Sequence, residues 1–303
     1  MIPDRPAHPA GLRLHGDAMV EPGQLDFAVN VVPGGPPPWL RQELRAALDR
    51  VAGYPNERPA AEALAARNRR PAGEVVVCNG SADAFWLIAA ALRPRRAVVV
   101  HPSFTEPESA LRAADHPVGR AWRNPDTFVL EPSAVPEDAD LVVVGNPNNP
   151  TGTLDQAPAV ARLARPGRVL VVDEAFMEFT GRETESLTGR SDLPGLVVVR
   201  SLTKLWGLAG LRAGYLLAPA GIAAGLRAAR QPWSVNSLAC AALAAWASTP
   251  AGPAAPIVAQ IAGARRRLGA GLAALPGVRG ASLRHLPRPQ RRPPSRRRPS
   301  AER

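Results

Sequence analysis

The sequence predicts an α/β fold, with a large sheet that is mixed or mostly parallel and with helices on both of its faces. Short valine-rich runs, bounded by glycine, proline or charged residues, alternate with alanine- and leucine-rich segments of helical length. Strands separated by helices pair in parallel, and both faces of such a sheet are covered. The chain of 303 residues is long enough for a large core, and its 46% hydrophobic content is typical of globular proteins.

The predicted elements follow one another in a regular order. We expect helices over residues 40–51, 60–69 and 81–92, and strands at about 75–79, 97–100, 141–145, 169–172, 196–200 and 213–217. The segment Pro232-Trp233-Ser234-Val235-Asn236 then interrupts the alternation and precedes another alanine-rich helix. We interpret this segment as the passage from a large domain towards a smaller one.

Segment 201–215 places Lys204 in an apolar, glycine-rich setting, with Ser201 before it and Arg212 after it. Burial disfavours an ammonium ion, so the pKa of a lysine in such a setting falls towards neutrality. A neutral amine can form a Schiff base with an aldehyde cofactor. The hydroxyl of Ser201 and the cation of Arg212 are suited to hold a phosphate nearby. Taken alone, the segment is also compatible with an ordinary surface lysine.

Two further motifs stand at the carboxyl ends of predicted buried strands. Asn146-Pro147-Asn148-Asn149-Pro150-Thr151-Gly152 follows the strand at 141–145, and Asp173 follows the strand at 169–172. Open α/β sheets bind their ligands at this edge. Taken alone, the first motif is equally a good turn, and the acid is a helix cap or a ligand contact.

In this order, the three motifs resemble those of the class I/II aminotransferase family, which uses pyridoxal 5'-phosphate and has the fold called type I. The resemblance extends from about residue 26 to about residue 274 and is greatest towards histidinol-phosphate aminotransferase and the threonine-phosphate decarboxylase of cobalamin biosynthesis. It implies a homodimer with shared active sites. It also implies an N-terminal arm over 1–30, a large cofactor-binding domain over 31–230 and the start of a small domain over 231–283.

The resemblance implies a role for each matching residue. Lys204 holds the cofactor as a Schiff base and moves the proton at the substrate's α-carbon, and Asp173 pairs with the pyridinium nitrogen. Asn149 hydrogen-bonds the phenolic oxygen, Phe104 stacks on the ring face, and Phe176 is a further residue of the cofactor site. The cofactor phosphate lies at a helix N-terminus, which favours anions, and its implied contacts are Gly80, Ser81, Ala82, Ser201, Arg212 and Tyr54 of the partner subunit. No metal site is expected.

The resemblance leaves two reactions open. Aminotransferases of this type carry a tyrosine at the third residue after the acid, where the decarboxylases tend to carry phenylalanine, and this chain has Phe176. Segment 231–236 also resembles the decarboxylases, whereas segment 207–212 resembles the histidinol-phosphate enzymes. Val32 replaces a family asparagine. We favour a decarboxylase that acts on threonine phosphate, a small phosphorylated amino acid, and the alternative is a histidinol-phosphate-type transaminase.

Residues 284–303 depart from the family pattern. Eight arginines and one glutamate there account for +7 of the net charge of +11, and the prolines predict a disordered tail. We hypothesise a frame-shifted or truncated end, because family members continue with more of the small domain and with an arginine that grips the substrate. A remote alternative is an inactive basic protein that binds nucleic acid, although the tail lacks aromatic residues that stack on bases.

Composition and targeting signals favour a soluble, cytoplasmic enzyme that does not bind membranes or nucleic acid. No apolar run approaches the roughly 18 residues of a membrane span, and residues 1–6 have no apolar signal core. Cys78 and Cys240 stand in apolar surroundings and are predicted to be packed thiols rather than a disulfide.

Overall fold

The computed structural model describes residues 11–12, 14–181, 183–250 and 253–276. The predicted basic tail over 284–303, the end of the predicted small domain and the first ten residues of the predicted arm lie outside the described residues. The division into domains therefore stays a prediction.

The predicted sheet is confirmed. Within the described residues it has seven strands in the order β1-β7-β6-β5-β4-β2-β3. The strand β7 is antiparallel to both of its neighbours, and the other strands pair in parallel. The strands are β1 (Val75–Cys78), β2 (Ala97–His101), β3 (Val118–Trp122), β4 (Leu141–Gly145), β5 (Val169–Asp173), β6 (Leu196–Ser201) and β7 (Gly214–Leu217).

The strand β3 is not predicted by the sequence pattern. Its five residues, Val-Gly-Arg-Ala-Trp, contain no apolar run, and only Ala121 among them is buried. The strand lies at the edge of the sheet and pairs with β2 alone. An edge strand is partly solvated, so it does not need the valine-rich composition of the central strands.

The three predicted helices are present, and each begins and ends within three residues of its predicted bounds. Proline stands in the first turn of the first two, where its missing N–H costs no hydrogen bond. The α-helices in the described residues are α1 (Pro38–Leu48), α2 (Arg58–Asn68), α3 (Ser81–Ala91), α4 (Glu106–Ala113), α5 (Ala157–Ala161), α6 (Ala220–Ala229), α7 (Ser237–Ser248) and α8 (Ala254–Ala273).

Alternating side chains of the strands pack into two layers of core. On what we call the first face, the side chains of Val143, Val171 and Val199 lie in one apolar cluster with residues of α3, α4 and α6. On the second face, Val172 and Val198 pack with residues of α5, and the β1 and β7 end of the sheet packs on α2 and α7. Each such buried side chain contributes roughly 1.5–3 kcal/mol, so the sheet is a rigid support for its edges.

The carboxyl ends of β4, β5 and β6 meet at one edge, which we call the carboxyl edge. In the ladder Gly145 lies opposite Asp173, and Asp173 lies opposite Val199, two residues before Ser201. Parallel pairing therefore places the three sequence motifs side by side, although they are far apart along the chain.

Both cysteines are free and buried, and burial raises the pKa of each thiol. Among the described residues, none of the helices has the combined length and hydropathy of a membrane span. The same residues contain no group of three or more His, Cys, Asp or Glu side chains arranged to hold a metal ion.

Candidate functional site

Lys204 lies in the loop that follows β6. Its backbone oxygen accepts the amide of Val32 at 3.0 Å, so the N-terminal segment is fastened to this loop. Burial lowers the pKa of the Lys204 ammonium, and the Arg212 cation lowers it further, whereas Asp173 acts in the opposite direction. The amine is therefore easier to deprotonate than an exposed lysine, as the sequence predicts.

Asp173 ends β5 and lies on the first face of the sheet. Its Oδ1 atom accepts the backbone amide of Ala175 at 3.0 Å. Burial raises the pKa of this carboxyl to about 6, and both the Ala175 amide and the Lys204 charge act against that rise. Asp173 is thus ionised at neutral pH, in a place where the carboxylate is poorly solvated and would be stabilised by a cation.

A narrow cleft at the carboxyl edge contains four of the predicted site residues. Phe104, Asn149, Asp173 and Phe176 all line it. The Nζ atom of Lys204 lies 5.8 Å from the centroid of the Phe176 ring. The structure therefore brings together the amine, the acid, the amide and two aromatic rings.

The loop that carries Asn149 is held by its neighbours. The Nδ2 atom of Asn148 donates to the Pro102 carbonyl at 3.0 Å and to Thr151 Oγ1 at 2.8 Å. Asn146 is fully buried and exchanges two hydrogen bonds with the backbone of Asp155. These side chains fix the loop against the end of β2, so the motif is both a turn and a wall of the cleft.

The predicted phosphate contacts also come together. No side chain caps the N-terminus of α3. Gly80, just before that helix, has φ +92°, and a Cβ atom there would lie 2.7 Å from Arg212 Nη2. A Cβ atom at Gly214, which pairs with Ser201, would lie 2.9 Å from the Ser81 amide nitrogen. The helix N-terminus, the guanidinium and the end of β6 are thus in close contact, and Ala82 follows in the first helical turn.

Tyr54 lies apart from this cleft within the chain. Its side chain is 77% exposed, and its ring stacks on Trp233 with a centroid distance of 4.5 Å. It lies at the rim of a separate, wider groove that α1, α2 and α7 line. The described residues of one chain therefore do not give Tyr54 a contact with the predicted phosphate site.

The sequence model of "Aminotransferase class I and II" matches residues 22–288, which is most of the chain. The chain belongs to this family.

Relatives of this family member carry two different names. A histidinol-phosphate aminotransferase of Mycobacterium tuberculosis is 46% identical over 239 residues, which are 78% of this chain and 65% of that protein. A threonine-phosphate decarboxylase of Salmonella typhimurium is 35% identical over 238 residues, which are 74% of this chain and 65% of the relative. The chain thus spans less than two thirds of the length of these relatives.

Solved structures of the family have the same fold. The threonine-phosphate decarboxylase from Porphyromonas gingivalis superimposes with a TM-score of 0.72 at 29% identity, over 82% of this chain and 80% of that chain. The histidinol-phosphate aminotransferase from Clostridium acetobutylicum gives a TM-score of 0.77 at 22% identity, over 86% and 80%. The predicted fold class is confirmed by both similarities.

One contact of the N-terminal segment at this aminotransferase-family site is not predicted by the sequence pattern. His15 Nε2 lies 2.9 Å from Glu106 Oε1, whose other oxygen accepts Trp86 Nε1 at 2.9 Å. The His15 ring centroid is 6.1 Å from that of Phe104, and Asp17 is near enough to oppose the lowering of the Lys204 pKa. Only folding brings these residues to the cleft, since no pattern near His15 predicts the contact.

Proposed function

We propose that this protein is a pyridoxal-phosphate-dependent enzyme that acts on a small phosphorylated amino acid or amine through Lys204. The observation that carries the proposal is that Lys204 is the only lysine among 37 basic residues. Arginine serves at the other 36 positions, where a permanent cation suffices. A lysine amine can lose its proton and bond to an aldehyde, which an arginine cannot do in a protein.

The residues at the carboxyl edge fit the cofactor. Asp173 is suited to the ring nitrogen, because its half-buried carboxylate is poorly solvated and would be stabilised by a cation. Asn149 is suited to the phenolic oxygen, and Phe104 to the ring face. The contact between the start of α3 and Arg212, which even a methyl group at Gly80 would disturb, is suited to a phosphate.

When bound, pyridoxal phosphate supplies an electron sink for a bond that breaks at the substrate's α-carbon. Asp173, ionised at neutral pH, holds a proton on the ring nitrogen. Lys204, with its lowered pKa, moves a proton to or from the α-carbon. The walls formed by Phe104 and Phe176 exclude water from this exchange.

For the reaction, we propose decarboxylation of threonine phosphate. Phe176 supports it, since this buried ring offers no hydroxyl beside the cleft where aminotransferases of this type carry a tyrosine. The second candidate is transamination of histidinol phosphate, which the name of the 46% identical relative favours. We also propose a homodimer in which Tyr54 of the partner subunit completes the phosphate site, consistent with its exposure in one chain.

The test is to incubate purified, cofactor-loaded protein with each phosphorylated substrate, with and without 2-oxoglutarate. A decarboxylase releases carbon dioxide from threonine phosphate with no acceptor present. A transaminase requires the acceptor and releases none. Borohydride reduction followed by digestion should yield one cofactor-modified lysine peptide, the one containing Lys204. Failure to label that peptide would overturn the proposal of pyridoxal phosphate chemistry, whichever substrate is offered.

The proposed dimer has its own measurement. Light scattering of the loaded protein should give the mass of two chains. Tyr54→Phe should weaken cofactor retention without changing that mass, because only the hydroxyl is removed. A purely monomeric protein that still retains the cofactor would contradict the role of Tyr54.

A further inference from the structure

The polar residues of the cleft have charged neighbours on the opposite face of the sheet. Successive side chains of a strand point to opposite faces, so Glu174 and Arg200 lie on the second face, whereas Asp173 and Ser201 lie on the first. The Glu174 amide donates to the Val199 carbonyl at 2.9 Å, which extends the pairing of β5 and β6 beyond Asp173. Glu174 is 1% exposed and Arg200 is 5% exposed.

One arginine joins these strand ends. Arg200 Nη1 donates to Glu174 Oε2 at 3.0 Å and to Glu183 Oε2 at 3.1 Å, while its Nη2 donates to Glu183 Oε1 at 3.0 Å. Glu174 in turn accepts the Ser186 hydroxyl at 2.6 Å and the Leu187 amide at 2.7 Å. The carboxylate and the guanidinium are therefore both held in fixed directions.

The loop that carries Lys204 is anchored near the same cluster. Trp206, two residues later, is buried, and its Nε1 donates to Glu178 Oε2 at 3.0 Å. Burial raises the pKa of Glu178, and Arg200 opposes that rise, so Glu178 lies within the field of the arginine. We call Glu174, Glu178, Glu183, Arg200 and Trp206 the second-face network.

Building on the proposed function, we propose that the second-face network is a positioning device that sets the spacing of Asp173, Ser201 and Lys204. Each of these three residues is one or two positions from a network member in the sequence. The aromatic ring of the cofactor fixes the distance between its nitrogen and its aldehyde, and the short linker limits how far the phosphate can lie from both. A small displacement of one strand end therefore prevents all three contacts from forming together.

Charge is an inefficient way to stabilise a core, so its use here indicates a geometric role. The Arg200–Glu174 pair is buried, whereas the Glu183 side chain is 55% exposed. A buried ion pair loses much of its attraction to desolvation, and apolar packing often replaces it at no cost in stability. A forked guanidinium with two carboxylate partners, however, fixes direction as well as distance. The network lies directly behind the cleft, where direction matters most.

The test compares two buried arginines at opposite edges of the same sheet. Arg200 lies at the carboxyl edge, and Arg168, also 5% exposed, lies at the amino end of β5, where backbone carbonyls such as Ala139 and Leu163 accept its donors. Arg200→Gln and Arg168→Gln each remove one positive charge and one forked guanidinium group, and both leave Lys204 as the sole lysine. Three quantities are measured for each variant: unfolding without cofactor, the Kd for pyridoxal phosphate, and the pH midpoint of the visible absorption of loaded protein.

We expect both variants to lose stability, but only Arg200→Gln to weaken cofactor binding by about tenfold or more and to move the pH midpoint. The inference is overturned if the Kd and midpoint of Arg200→Gln match the wild type, or if Arg168→Gln changes them equally. Should Arg200→Gln fail to fold, Trp206→Phe removes the indole donor to Glu178 together with part of a buried ring, and it must weaken cofactor binding and move the pH midpoint to a smaller degree. Wild-type protein that binds no cofactor would instead overturn the proposed function.

Discussion

Two aspartates at opposite edges of the sheet have carboxyl pKa values that are shifted in opposite directions. Asp140, just before β4, accepts the amides of Arg95 and Arg96 at 2.8 and 2.9 Å. Burial acts to raise the pKa of its carboxyl, but these hydrogen bonds prevail and lower it. At the end of β5, Asp173 accepts the Ala175 amide, and burial raises its pKa to about 6.

The difference shows that charged groups at the two edges of the sheet have different roles, in stability at one edge and in chemistry at the other. At the amino edge, hydrogen bonds from the chain itself outweigh burial and favour the charged form of Asp140. At the carboxyl edge, Asp173 and Lys204 are both held with their charged forms disfavoured by burial. Groups left in this condition reduce stability and become available for chemistry, which is typical of active sites.

The largest effect is expected at the carboxyl edge from Lys204→Ala. Loss of the sole lysine amine should lower turnover by more than about a thousandfold, because both the proposed bond to the cofactor and the proposed proton transfer depend on it. Steady-state assays and borohydride labelling measure this effect. Lys204→Arg, which keeps the cation, should be equally inactive, and an active Lys204→Arg enzyme would contradict the role of the amine.

Asp173→Asn should separate function from stability. The folded-state pKa of about 6 lies above the ordinary 3.8, so between these values the folded protein keeps a proton that the unfolded chain releases. The stability cost of the carboxylate therefore grows as pH rises through this window and is complete above it. We expect cofactor-free Asp173→Asn to be more stable than the wild type above pH 6, by up to about 3 kcal/mol, and to turn over at least about a hundredfold more slowly.

Denaturant unfolding at pH 4 and pH 7, paired with activity assays, measures both expectations for Asp173→Asn. The gain in stability should be small at pH 4. An equal gain at both pH values would show that removal of the buried charge is not its cause.

Two glycines offer a matched pair at the two edges. Gly80 and Gly167 have φ values of +92° and +79°, but a Cβ atom at Gly80 would clash with Arg212, whereas one at Gly167 meets nothing within 4 Å. Both alanine variants should lose about 1 kcal/mol from backbone strain. Only Gly80→Ala should also weaken pyridoxal phosphate binding, as measured by absorbance titration. Equal Kd values for the two variants would argue against a phosphate beside Arg212.

The smallest effect is expected from Asp140→Asn at the amino edge. A lowered pKa means that the carboxylate stabilises the fold above the unfolded-state pKa, and that this stability is lost as pH falls through the folded-state value. The variant should lose about 1 kcal/mol at pH 7 and much less in acid, with cofactor affinity unchanged. Chemical denaturation across pH, together with the Kd, tests this. A change in the Kd for the cofactor would show that the amino edge also influences cofactor binding, and it would contradict the proposed difference between the two edges.

The central strands were predictable because each is a valine-rich run that is buried on both faces. Strand β3 was not, since its edge position relaxes the demand for apolar residues. The antiparallel direction of β7 could not be predicted either, because the alternation of strands and helices along the chain does not reveal the direction in which each strand pairs.

The site residues that belong to short sequence motifs, Asn149, Asp173 and Lys204, could be predicted from the sequence. The groups that support them could not. Arg200 and Glu183 are 17 residues apart, and His15 and Glu106 are 91 residues apart, so these contacts depend on the fold. No local spacing distinguishes such charged residues from solvated ones.

The half-hidden position of the sole lysine has a practical consequence. Outside the chain's N-terminus, reagents that acylate or alkylate primary amines have a single target, and it lies beside Phe176 of the cleft. The rate at which such a reagent modifies the Lys204 amine would therefore report how accessible the cleft is to solvent. Any ligand that fills the cleft should shield this amine, so a simple mass spectrum becomes a binding assay for compounds whose turnover is too slow to see.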